Sequence, residues 1–398
     1  MNHRLDPAAW LDRTGVRELL AALDPDQAGV RLVGGAVRDL LLGLVPGDLD
    51  LATSLPPSEV IARAEAARIK AVPTGIDHGT VTLVSRGTVI EVTTLRADIA
   101  TDGRRATVEY TDDWRADAAR RDFTFNALYA DPYNGELTDY FGGQADLAAG
   151  RVRFIGEPLQ RIAEDHLRIL RFFRFQARFG HGEPDPAALA ACAARANDLM
   201  ALSRERIADE LLKLLAVADP APTVGIMLDR RILAPVLPEL VADAVARLTA
   251  LAEAERAAGI APAALRRLAS ALPRDPAVAE RIAARLKFSN AARKRLALAA
   301  DADLAAGPHA LAYTIGLASA EDRLLLAGHP DQAAALANWP IPRLPIGGGD
   351  LITRGVVQGP LVAHTLQAIE RAWIAADFPT GAAFEAVVGA VLDHDRFR

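Results

Sequence analysis

Residues Leu32 to Thr53 read LVGGAVRDLLLGLVPGDLDLAT. Val30–Val33 is a short apolar strand candidate. Gly34 and Gly35 follow, then a helical run, Ala36–Leu42, with Gly43 placed as its C-terminal stop. Asp48–Ala52 reads as a second strand. Residues two apart in a strand project to one face. Asp48 and Asp50 are therefore expected to point together while Leu49 and Leu51 enter a core. Adjacent carboxylates repel unless something positive lies between them. A hard divalent cation such as Mg²⁺ takes oxygen ligands, commonly one or two carboxylates plus substrate phosphates. Glu91, between Ile90 and Val92 in a β-branched run, is the candidate third acid.

The surroundings give the acid pair its meaning, because a lone D-x-D is a common surface-loop pattern. Glycines let backbone N–H groups approach a phosphate, and a helix N-terminus favours anions. Arg38, in the first turn, is able to hold phosphate oxygens. No GxxxxGK[ST] occurs, so this is not a Walker loop.

Outward from this unit, Ser58–Arg68 reads as an amphipathic helix with Ser58 as its N-cap. Two β-branched runs between Gly79 and Arg96 flank Ser85-Arg86-Gly87, a hairpin signal. Residues 97–116 are polar and aperiodic and read as a long mobile loop. After about residue 150 helical periodicity dominates, and Leu344–Pro360 is a glycine-rich joint before a last helical pair. The pattern is a small α/β head followed by a long all-α region.

The chain has 398 residues, enough for two to three domains, and 51% are hydrophobic, ample for a large core. No apolar run reaches about 18 residues, so no membrane span is expected. The N-terminal stretch lacks a signal peptide's apolar core and reads as a short amphipathic helix. Cys192 is the single cysteine, which excludes an intrachain disulfide and a thiolate metal cluster; a cytoplasmic protein is the simplest reading. A net charge of −6 speaks against bulk attraction to nucleic acid. Two stretches depart from it: 151–178 has seven Arg against three acids, and 265–295 has nine Arg or Lys against two. They fit either faces that meet a phosphate backbone or solvated helix surfaces.

The LVGGAVRDLLLG…DLDLAT segment resembles the signature of the nucleotidyltransferase superfamily, in the branch of class II tRNA nucleotidyltransferases (CCA-adding) and bacterial poly(A) polymerases. Later segments extend the resemblance to about residues 28–215. Arg120–Leu128 (RRDFTFNAL) is similar to the family's second motif, which implies ribose recognition by Arg121, Asp122 and Asn126. Asp139–Leu147 (DYFGGQADL) resembles its head-to-neck connector, where tandem glycine suits a joint. Glu164–Arg168 (EDHLR) resembles its nucleotide-templating motif, on a helix ending near Phe179. Asp165 and Arg168, three apart, are expected to share a helical face, continued by Arg171 and Arg174. One Asp and one Arg match the acceptor-beside-amine edges of cytosine and adenine, and mismatch guanine and uracil. The plainer reading of such a pair is an i,i+3 ion pair. Ser203–Ile207 (SRERI) resembles the last motif and is read as a brace for the templating helix.

The resemblance implies an α+β fold: a mixed-sheet head over 1–150, a helical neck over 151–215, and a helical body and tail over 216–398 that bind tRNA. It implies template-independent addition of CCA to the 3′ end of tRNA, with CTP and ATP as substrates. Asp48, Asp50 and Glu91 would hold two Mg²⁺ ions about 4 Å apart. Gly34, Gly35 and Arg38 would cradle phosphate. No protein general base is required, and His78 is assigned a structural bond. The alternatives are a poly(A) polymerase, a CC- or A-only enzyme, and a non-catalytic RNA-binding protein. The stretch Val72–Val84 looks more like the CCA-adding side.

Overall fold

The computed structural model describes residues 4–27, 29–101 and 106–395. The chain forms two compact units: 1–210 with 227–236, and 211–226 with 237–398.

Among the described residues the first unit holds nine strands: β1 Val30–Val33, β2 Leu49–Thr53, β3 Lys70–Gly75, β4 Thr80–Ser85, β5 Thr88–Thr94, β6 Arg96–Thr101, β7 Ala106–Tyr110, β8 Leu128–Ala130 and β9 Leu137–Asp139. Seven form one sheet in the order β3-β4-β5-β2-β1-β8-β9. Only β2–β5 is parallel, so the sheet is mixed. Its helices are α1 Ala8–Leu11, α2 Val16–Leu23, α3 Gly35–Leu41, α4 Pro57–Ala66, α5 Trp114–Ala119, α6 Gly143–Ala148, α7 Pro158–Glu164, α8 Arg168–Phe179, α9 Pro186–Ala194 and the start of α10, Arg204–Leu215. α2 buries Val16, Leu19, Leu20 and Leu23, the i, i+3, i+4, i+7 stripe of an amphipathic helix. These side chains join the sheet residues Leu32, Leu49, Leu51, Leu83 and Val92 in one core.

The hairpin forms as expected. Ser85 pairs with Thr88, leaving the two-residue turn Arg86-Gly87 with φ of 47° and 89°. Positive φ at both positions is what a right-twisted hairpin requires. Gly43 also stops α3, at φ 71° with its N–H on Leu40 O.

Three local expectations are corrected. Helix α4 begins at Pro57 with Pro56 as N-cap, so Ser58 lies inside the first turn. Proline at N1 gives up an N–H that would have been orphaned anyway. Residues 97–116 contain the antiparallel β6–β7 ribbon and the first half of α5 rather than one long loop. Asp102, Arg104 and Arg105 lie outside the described residues. Finally, the tandem glycine at 142–143 is packed rather than loose. The Asp139 carboxylate accepts the backbone N–H groups of Phe141, Gly142, Gly143 and Gln144. A Cβ on Gly143 would stand 2.3 Å from Thr124 O. Gly143→Ala should therefore cost about 1–3 kcal/mol and several degrees of Tm. Calorimetry checks this, and an unchanged Tm would mean that α6 can shift freely.

A ring cluster joins the 123–125 segment to α8. Phe123 packs on Phe154, Phe172 and Phe175, and Phe125 on Phe175 and Phe179. Phe172, Phe175 and Phe179 recur at helical spacing, which fixes the adjoining, arginine-bearing side of α8, where Arg171 and Arg174 stand over the Phe175 ring.

The second unit is helical. It includes α12 Ala244–Ala258, α13 Ala264–Ser270, α14 Pro276–Arg285, α15 Asn290–Ala300, α17 Leu317–Leu326 and α19 Gly348–Thr353, with the greater part of α11 Ala221–Asp229, α16 Pro308–Ile315, α18 Pro330–Leu336, α20 Pro360–Ala375 and α21 Gly381–Asp395. α19 starts inside the glycine-rich stretch. The basic stretch 265–295 is partly internal: Arg266 and Arg267 are buried, on Glu255 and Asp322. Arg295 also pairs with Asp322, and Arg285 with Glu239. Among the described residues no helix is long and apolar enough to cross a membrane.

Candidate functional site

The first unit contains a cleft of about 460 Å³. Seven arginines and three aspartates line it: Arg38, Arg120, Arg121, Arg168, Arg171, Arg174 and Arg206 against Asp50, Asp122 and Asp165. This excess of positive charge suits a polyanionic ligand.

The β1–α3 turn forms one wall. Gly34 has φ 68° and ψ −123°, a conformation closed to side chains. Both Gly34 and Gly35 face the cleft. Arg38 is buried, donating to Asp39 and, at 2.7 Å, to Asn126 Oδ1. Helix α3 has only seven residues, so the cleft's positive field comes chiefly from its arginines.

Asp50 sits on β2 beside Glu91 of β5 in parallel register. Burial, and then Glu91, push the Asp50 carboxyl up to about 6; Arg121 opposes them and Asp48 adds to them. Three acids thus act on one another. Asp48, however, lies in the bend before β2, so strand periodicity does not set its direction. Neither Asp48 nor Glu91 lines the cleft itself; both are exposed at its Asp50 end. Among the described residues no three His, Cys, Asp or Glu side chains stand at ligand-shell spacing. Mutually repelling carboxylates have no reason to close up without a cation. The all-carboxylate donor set, with one acid driven toward neutrality by burial and by its neighbours, fits a hard divalent ion.

Arg121 is aimed by Asp117. Its Nη2 donates to Asp117 Oδ2 at 3.1 Å, while Arg120 takes Oδ1 at 2.7 Å and the Tyr129 hydroxyl takes Oδ2 at 2.7 Å. Asp122 Oδ2 accepts from Arg171 Nε at 2.6 Å, and Oδ1 from Asn126 Nδ2 at 3.0 Å. Arg174 Nε donates to Glu210 Oε2 at 2.7 Å.

The expected shared helical face of Asp165 and Arg168 is corrected. α7 ends at Glu164, Asp165 is extended (φ −150°, ψ 108°), and α8 starts at Arg168. An Asx turn, Leu167 N–H to Asp165 Oδ1, brings the two into the same cleft instead. Each already has partners. Arg206 Nη2 donates to both oxygens of Asp165, at 3.1 and 2.9 Å. Arg168 donates to Glu164 Oε2 at 2.6 Å and to the carbonyls of Arg161 and Arg120. Arg206, in the SRERI segment, thus touches the EDHLR segment. His78 is exposed, at the end of the turn Ile76–His78 just before Gly79.

Asp117, Arg120, Glu210 and the ring cluster were not singled out from sequence. The i+3, i+4 spacing of Asp117 to Arg120 and Arg121 was the available signal.

Residues 30–153 match the poly A polymerase head domain family, and 183–243 match the probable RNA- and SrmB-binding site of polymerase A. The mitochondrial CCA tRNA nucleotidyltransferase 1 of Homo sapiens is 44% identical over 204 residues, 50% of this chain and 47% of that protein. The CCA-adding enzyme of Lacticaseibacillus paracasei is 41% identical over 191 residues, 47% of this chain and 46% of that one. The chain thus spans about half the length of the curated relatives it matches. The crystal structure of the Bacillus stearothermophilus CCA-adding enzyme in complex with CTP superposes with a TM-score of 0.74 at 27% identity, over 96% of this chain and 98% of that one. The Thermotoga maritima CCA-adding enzyme complexed with tRNA shares the fold, with a TM-score of 0.69 at 20% identity over 99% of each chain. The head, which carries these acids and part of the arginine cleft, is similar to the poly A polymerase head domain. As a whole the chain resembles CCA-adding enzymes.

Proposed function

We propose that this protein adds C, C and A to the 3′ end of tRNA, from CTP and ATP, without a nucleic-acid template. The observation that carries the reading is one cleft lined by Asp50 of the acid rim, by arginines suited to a triphosphate, and by Asp165 and Arg168. The relatives' names support CCA addition over poly(A) synthesis.

Asp48, Asp50 and Glu91 would hold two Mg²⁺ ions. When bound, these would lower the pKa of the RNA 3′-hydroxyl and offset charge on the departing pyrophosphate. Arg38, Arg121 and Arg174 meet the phosphates, with Gly34 and Gly35 giving close approach. Asp122 accepts a bond from the ribose 2′-hydroxyl, with Asn126 and Arg171 fixing its carboxylate. Asp165 and Arg168 read the base edge, exchanging Arg206 and Glu164 for base contacts. The helical second unit would hold the tRNA. With its cysteine free and buried, the chain fits a reducing compartment such as the cytoplasm.

The test is incubation with tRNA lacking its CCA end, Mg²⁺ and each nucleotide in turn. Ordered C, C, A addition supports the proposal. Long A tails from ATP alone would move the chain to poly(A) synthesis, and no incorporation would leave an RNA-binding protein. Arg168→Met should reduce the preference for C and A over U and G about 10-fold, since a two-bond base contact discriminates by about 1–3 kcal/mol. The KM for the triphosphate should move less. Unchanged base preference would remove Arg168 from base reading.

A further inference from the structure

We infer that Arg13 is a positioning residue for Asp48, acting through the backbone of the loop before it. The inference rests on the proposed role of Asp48 as a metal-holding acid.

Asp48 is outside every ladder. β2 pairs with β5 from Leu49 onward, opposite Ile90, and with β1 only from Leu51, opposite Leu32. The preceding chain leaves α3 at Leu44, whose N–H bonds Asp39 O at 2.9 Å. Val45 is 88% exposed, and a Cβ on Gly47 would meet nothing within 4 Å. Pro46 is buried, but Gly47 and Asp48 are exposed, so strand register and core packing do not reach the Asp48 carboxylate itself. Arg13 supplies the missing constraint: Nη2 donates to Pro46 O at 2.5 Å, and Nη1 makes a longer contact with Gly47 O at 3.5 Å. Two nitrogens of one planar fork thus grip the two consecutive carbonyls just before Asp48.

Arg13 can act as a fixed post because its own backbone is anchored on both sides. Its N–H bonds Trp10 O, and its carbonyl accepts from Val16 N–H. Trp10 is fully buried, with its indole N–H on Pro132 O at 2.8 Å, and Val16 is buried at the start of α2. The N-terminal helical pair is thereby coupled to the acid rim through one side chain. Groups that orient metal ligands from outside typically change metal affinity 10- to 100-fold when removed.

The experiment uses the full chain with Mn²⁺ alone, its binding read by electron paramagnetic resonance, alongside kcat and KM for CTP. Arg13→Met keeps the aliphatic stem and deletes the donors. It should weaken Mn²⁺ binding and lower kcat, each about 10-fold, with KM for CTP within about twofold and Tm nearly unchanged. Arg13→Lys, which keeps one donor, should recover much of both. Asp48→Asn is the reference. If Asp48→Asn loses Mn²⁺ binding but Arg13→Met binds as wild type, this inference is overturned and the metal reading stands. If Asp48→Asn itself binds Mn²⁺ as wild type, the metal reading of Asp48 falls. If Arg13→Met and Arg13→Lys both lose Tm and Mn²⁺ binding together, Arg13 serves the fold and the inference is overturned too.

Discussion

Replacing Asp50 with Asn should cut nucleotide incorporation about 10³-fold or more while raising the Tm of the metal-free protein. The loss follows from the proposed chemistry: bound ions would lower the barrier by several kcal/mol, and each 1.4 kcal/mol is tenfold in rate. The gain in stability follows from geometry. Burial, and then Glu91, hold the Asp50 carboxyl at about 6, with Arg121 relieving it only in part. The folded state therefore binds that proton more tightly than the unfolded chain does, and deprotonation works against folding. Below the ordinary carboxyl value both states are protonated, and this group makes no difference. As pH rises from about 4 to about 6, wild type should lose stability relative to Asp50→Asn, and above that window the gap is complete. Calorimetry in chelator at pH 5 and pH 8, beside a turnover assay, checks both halves. A variant that keeps its turnover, or that melts lower than wild type at pH 8, would defeat the argument. Asp48→Asn should share the loss of activity but gain less in Tm, because Asp48 is exposed.

The fold of the head was legible where local chemistry alone decides structure. The Arg86-Gly87 turn, the Gly43 stop and the 30–33 and 49–53 strands follow from glycine placement and period-two patterning. What escaped reading was set by partners distant in the chain. The short strands β8 and β9 have only three residues each, and β8 exists because β1 lies beside it. The 97–116 stretch looked unstructured because its order comes from cross-strand pairing of β6 with β7, which spacing along the chain does not reveal. The cleft residues were legible as a set, yet not in their connections. Spacing alone put Asp165 and Arg168 on one helix, whereas the helix breaks between them and a turn does the aligning. Charge counting likewise treated Arg266 and Arg267 like any surface arginine, although Glu255 and Asp322 neutralise them in the interior.

Asp117 is the counterpart of Asp50, an acid whose charge supports the fold, and Asp117→Asn should cost about 3 kcal/mol or more. Its side chain is fully buried and receives Arg120, Arg121 and the Tyr129 hydroxyl. Burial alone would raise its pKa, but Arg121, Arg120 and the tyrosine outweigh burial and hold it at about 2. Removing one charge from such a cluster leaves two guanidinium groups without their counter-ion in a partly desolvated place, which is where the large costs of broken buried pairs arise. An acid held below its ordinary value stabilises the fold at all pH above that value, and the contribution fades as pH falls from about 4 to about 2. The stability gap between wild type and Asp117→Asn should accordingly be full at pH 7 and should narrow across that acid window. Catalysis should suffer separately. Arg121 loses the carboxylate that aims it across Gly34, so KM for the nucleotide should rise several-fold even at temperatures where the variant is folded. Denaturant titrations at pH 7 and pH 3, with nucleotide KM measured at pH 7, test both effects. A gap that stayed constant down to pH 2 would mean that shape rather than charge at Asp117 holds this wall of the cleft. An unchanged KM would mean that Arg121 finds its position without it.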